Sequence, residues 1–150
     1  TAGSLQLIRS LGWNPLATWR NPLLWVLHLS HLWIPIGLVL AAMSVWGWIP
    51  RSAAVHALTI GSMAGLIIGM ITRTALGHTG RLLQAGTIET TCYALVQLAA
   101  LARVVTLTAL PALATAGIHL ASTVWTLAFA LYLIRYVPIL SRARADGRPD

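Results

Sequence analysis

Apolar residues run through this chain in four long blocks, separated by short stretches rich in proline, arginine or glycine. The blocks are roughly Pro22 to Trp46, Ala53 to Leu76, Thr87 to Leu110 and Ala112 to Val137. Each reaches the ~20 residues that a helix needs to cross the hydrocarbon core of a bilayer. Pro50 and Pro111 fall between blocks, where proline ends a helix harmlessly, whereas Pro35 lies inside the first and predicts a kink. Residues 1–21 set Trp13 and Trp19 among polar residues and read as an interfacial segment. Residues 141–150 form a polar tail expected to extend into water. The pattern predicts an all-α integral membrane bundle of four transmembrane helices over residues 22–140.

Composition agrees with lipid as the solvent. The chain is 57% hydrophobic and 9% charged, where a water-soluble domain carries about 25% charged residues. Its ten basic residues are all arginine, and the net charge is +7. In a soluble protein that excess would point to nucleic acid; in a membrane bundle it reports cytoplasmic helix ends, and no nucleic-acid partner is expected. Arg9 and Arg20 precede the first span, Arg73 and Arg81 flank the second-to-third turn, and Arg135, Arg142, Arg144 and Arg148 close the chain. The opposite side holds only Arg51. Both termini are therefore expected in the cytoplasm. The single cysteine, Cys92, excludes an intramolecular disulfide. The opening residues lack a charged stretch followed by a short apolar one, so no signal peptide is expected, and the chain reads as part of a longer polypeptide. Its further N-terminal helices, or a second copy, would complete the bundle.

Ionisable groups at membrane depth are costly and mark candidate sites. Counting from span midpoints places His56, Arg103 and His119 in the outer half, roughly 13, 7 and 8 Å above the midplane. His28 and His31 fall about 9 and 5 Å below it. His56 and His119 at matched depth are candidate axial ligands of a haem, with Arg103 neutralising a propionate. Simple interhelical hydrogen bonding is the standing alternative. His28 and His31, three apart on one helix face, could chelate a metal such as copper with help from another helix. Gly61, Gly65 and Gly69 give the second span a smooth packing face, and Met63 and Met70 repeat from His56 at heptad spacing. Thr115, His119, Ser122 and Thr126 form a stripe expected to face the bundle interior. Glu89, Tyr93 and Gln97 form another, with Arg73, Arg81 or His78 as expected partners for Glu89.

The run from Met70 to Arg81 brackets His78 with Gly77 and Gly80 and flanks it with Arg73 and Arg81. Such a turn can form an anion-binding nest for a haem propionate or a lipid phosphate. This run resembles the NnrS family of bacterial inner-membrane proteins. So do His56 to Gly61, Leu24 to Trp33, and Tyr136 to Leu140 followed by Arg144-Ala-Asp-Gly-Arg148. The matching positions include His28, His56, Arg73, His78 and Arg81. The resemblance implies a multi-pass inner-membrane protein, the C-terminal portion of a longer one, that binds haem (of b type) and copper in the response to nitric oxide. No reaction comes with it. Two other classes stay open: a bis-histidine cytochrome subunit taking electrons from quinol, and a cofactor-free structural module. A transporter fits less well, since the spans lack paired broken helices and a run of membrane carboxylates.

Overall fold

The computed structural model of the protein describes residues 2–13 and 15–147; Arg148, grouped above with the closing arginines, lies outside them. All regular structure in the described residues is helical. A short helix α1 (Ala2–Leu11) precedes four long ones: α2 (Pro22–Val45), α3 (Arg51–His78), α4 (Thr87–Thr108) and α5 (Ala114–Leu140). These four are long and apolar enough to cross a bilayer, and they coincide with the four sequence blocks.

Local chemistry sets their ends. The Asn21 side chain accepts a hydrogen bond from the Leu23 N–H at 3.1 Å, and Pro22 occupies the first helical position. α3 ends where Gly80 takes a φ of +66° and the Arg81 N–H reaches back to the Leu76 carbonyl at 2.9 Å. At the start of α4 the Glu89 carboxylate accepts the Gly86 N–H at 2.9 Å.

The glycine face of α3 is spent on α2, as packing predicts. Trp33 covers Gly61, Ser30 and Gln97 close over Gly65, and Val26 and Leu27 lie on Gly69. Within that contact the Trp33 indole N–H donates to Gln97 Oε1 and Gln97 Nε2 donates to Ser30 Oγ, both at 2.8 Å. α4 and α5 close through small residues too, with Gly117 against Thr106, and Ala121, Val124 and Ala128 buried.

That choice of face corrects one expectation. Thr115, His119, Ser122 and Thr126 do not point into the bundle; all four are exposed. Small residues allow close backbone approach, and they outbid the polar stripe. The hydroxyl of Ser122 bonds the carbonyl of His119 on its own helix at 3.1 Å, so facing outward strands no donor there. The Glu89, Tyr93 and Gln97 stripe is buried, but Glu89 takes Arg135 (3.3 Å) and Tyr136 (3.1 Å) as partners rather than Arg73, Arg81 or His78.

Both end segments fold onto the bundle. α1 packs antiparallel to α2, with Gly3 against Pro35 and Val39 and the Trp13 ring against His28 and His31. The tail, expected to extend into water, docks on the α3–α4 turn. There Arg144 Nη1 donates to the His78 carbonyl at 3.0 Å and the Ala145 N–H to the Thr79 carbonyl at 2.9 Å.

Two glycines on α3 give opposite expectations. A Cβ at Gly65 would overlap Ser30 Oγ, whereas one at Gly77 meets nothing within 4 Å. Thermal unfolding in detergent should therefore show Gly65→Val losing about 1–3 kcal/mol of stability to overpacking. Gly77→Ala should be neutral or up to about 1 kcal/mol more stable through backbone entropy.

Candidate functional site

α3 is not a uniform helix. Arg51–His56 is α-helical, and the next eight residues, Ala57–Ala64, form a π-helical segment before the α-helix resumes at Gly65. Such wide turns are rare and recur at functional sites. No sequence signal announced this one. His56 stands at its head.

The imidazole of His56 is held from both sides. Nδ1 lies in hydrogen-bond contact with the Ser52 carbonyl one turn back, and Nε2 faces Arg103 Nε on α4 at 3.4 Å. Arginine only donates and a carbonyl only accepts. One tautomer satisfies both contacts: the proton sits on Nδ1 and Nε2 presents its lone pair. The same guanidinium has a buried Nη1 with no hydrogen-bond partner among the described residues.

This pair lies in a groove of about 730 Å³ between α3 and α5, floored by α4. Its walls include Ile60, Met63, Ile67, Ile118, Trp125 and Phe129, with Ser122 and Thr126 as further polar groups. Met63, Ile67, Ile118 and Trp125 are all at least 40% exposed, so the groove opens on the flank of the bundle.

The sequence-derived candidates are only partly brought together. His56 and Arg103 meet. His119 is exposed on α5 and does not line the groove. Arg73, His78 and Arg81 cluster at the opposite end of α3, with Arg73 roughly 25 Å from His56 at 1.5 Å per residue. No group bound at His56 reaches them. In that turn Arg81 Nη1 donates to the Thr79 carbonyl at 3.4 Å, and the His78 side chain is exposed.

His28 and His31 share a different environment. The Trp13 ring lies 4.7 Å from that of His31 and 6.2 Å from that of His28, and the Arg9 guanidinium sits 5.3 Å above the Trp13 ring. Nε2 of His31 is buried and has no hydrogen-bond partner among the described residues. Among the described residues no group of three or more histidine, cysteine or acidic side chains could hold a metal ion. Trp13 was read from sequence as an interfacial anchor; its docking on two histidines needed the fold of α1 to be seen.

A bundle of four helices long and apolar enough to cross a bilayer, with an apolar side groove that an imidazole–guanidinium pair lines, defines a polytopic membrane protein. The model of the NnrS family, described as NnrS protein, matches residues 1–144, and the chain belongs to that family. No curated protein and no solved structure matches it.

The tautomer is directly measurable. In protein labelled with ¹⁵N-histidine and prepared without haem or metal, His56 should show a protonated Nδ1 and a bare Nε2. The reverse pattern would remove the Arg103 contact. Arg103→Leu should leave Nδ1 protonated and shift the Nε2 resonance.

Proposed function

We propose that the chain binds haem in the groove between α3 and α5, and that it serves, as a multi-pass protein of the bacterial inner membrane with cytoplasmic termini, in the response to nitric oxide. The observation that carries this reading is the Nε2 lone pair of His56 beside the unpartnered Nη1 of Arg103.

The residues present fit the group. The groove volume lies within the usual ~300–1,000 Å³ of cofactor and ligand sites, and its walls are mostly apolar, as such sites are. His56 would hold the iron through Nε2, with the Nδ1–H to the Ser52 carbonyl fixing the ring as such second contacts do at metal-bound histidines. Arg103 would trade its contact with that nitrogen for a propionate, which supplies the acceptor its Nη1 lacks. Haem iron, when bound, offers a binding position for a diatomic gas and one-electron chemistry.

The chain's own residues set the conditions for that chemistry. The groove offers one imidazole, because His119 does not line it, and the wall contributed by α5 is Ile118, Ala121, Ser122, Trp125, Thr126 and Phe129. That arrangement favours a gas-binding role over a bis-histidine electron carrier. The opening on the bundle flank gives an apolar gas a route from the bilayer. For copper, His28 and His31 would supply two imidazole donors beneath Trp13, and the described residues add no third.

The deciding measurement is the visible spectrum of purified protein, oxidised and dithionite-reduced, after expression with haem supplied. Wild type should show a Soret band that shifts on reduction and again on adding nitric oxide. His56→Ala should lose it and His119→Ala should keep it. Haem retained in full by His56→Ala would refute the assignment. Loss in His119→Ala alone would favour the bis-histidine alternative.

A further inference from the structure

The last turns of α5 carry a second cleft that shares no residue with the groove. Its volume is about 300 Å³, and Ile88 of α4 with Leu131, Ile134 and Ile139 of α5 line it. Two arginines, Arg135 and Arg142, line it as well. An apolar cleft holding two guanidinium groups at the end of a membrane helix calls for an anion with a greasy body.

The arginines are poised differently. Arg135 is tethered through Nε, which donates to Glu89 Oε1 at 3.3 Å, and its side chain is still 48% exposed. Its two terminal nitrogens are therefore free to serve an outside acceptor. Glu89 cannot neutralise the cleft further. It is 4% exposed and already accepts from Gly86 N–H and the Tyr136 hydroxyl. Arg142 is exposed and forms no hydrogen bond or ion pair among the described residues. α5 ends at Leu140, so Arg142 stands at the level of the helix end. Arg135 starts about 8 Å deeper and reaches back toward that level along its stem.

We infer that this cleft binds one anionic phospholipid. Its phosphate sits between the Arg135 and Arg142 guanidiniums, which match phosphate oxygens in the planar, multi-donor manner arginine favours. Its acyl chains lie on Ile88, Leu131 and Ile134. Basic pockets at the cytoplasmic ends of membrane helices are known to select anionic headgroups. A zwitterionic headgroup would bring its own cation close to Arg142 and is disfavoured for that reason.

Native mass spectrometry of the detergent-purified protein, titrated with phosphatidylglycerol or with phosphatidylcholine of the same acyl chains, tests this. Wild type should retain one phosphatidylglycerol in preference to phosphatidylcholine. Arg142→Gln should weaken phosphatidylglycerol binding by about fivefold, the contribution of one interfacial arginine, and leave phosphatidylcholine binding and the helical circular dichroism unchanged. Ile134→Trp, which fills the cleft from an exposed position, should weaken both lipids. Arg135 is kept intact because its removal would strand the buried Glu89 carboxylate. Equal binding of the two lipids by wild type, or of phosphatidylglycerol by wild type and Arg142→Gln, overturns the inference. So does full displacement of the lipid by inorganic phosphate, which would mark a free-anion site.

Discussion

Between helices in a bilayer there is little hydrophobic force to spend, because lipid tails are as apolar as leucine. What holds this bundle is the close approach of α3 to α2 along Gly61, Gly65 and Gly69. At Gly65 the gap is filled by Ser30 and Gln97, which also links α4 through the Trp33 indole. A buried hydrogen-bonded trio of this kind is stabilising only when every member is satisfied, and the missing side chain at Gly65 is what leaves room for it. Three helices are locked in azimuth by that single layer. The glycine face turned toward α2 leaves Met63 on the other side of α3, along the groove that His56 also lines.

The two conspicuous arginine pairings inside the bundle solve opposite problems. Arg135 meets a carboxylate that is fully satisfied, and the result is a structural joint between α4 and α5. Arg103 meets an imidazole nitrogen and retains a buried donor that has no partner among the described residues. A cation held in a low-dielectric site without a counter-charge is costly. The first carboxylate is neutralised and fully hydrogen-bonded within the bundle, whereas the second cation has no carboxylate partner among the described residues.

The spans were legible because bilayer thickness fixes helix length. Depth was legible more coarsely: counting residues put His56 and Arg103 in the same outer half of the bundle, and they meet. Azimuth was harder. His119 lay at the right depth but on the wrong face, since Gly117, Ala121, Val124 and Ala128 decided which side of α5 is buried. Serine and threonine misled because their hydroxyls bond carbonyls of their own helix, as Thr59, Thr106 and Ser122 do, and so tolerate an outward position. The pairing of Trp13 with His28 and His31 depends on how α1 folds back, which no periodicity within α2 could reveal.

The π-helical stretch Ala57–Ala64 has a further consequence for the geometry of α3. Wide turns bond i to i+5 and so accommodate one residue more than the ordinary ladder. Residues above and below are thereby out of phase by about 100° relative to an unbroken α-helix. The glycines from Gly65 onward belong to one phase and His56 to the other, so the angle between the packing surface and the groove-facing imidazole is not encoded in residue spacing. It is set by where the surplus residue is stored. Moving that store by a turn would rotate the imidazole out of the groove while every contact of Gly65 and Gly69 stayed in place, making this segment the phase adjuster of the helix.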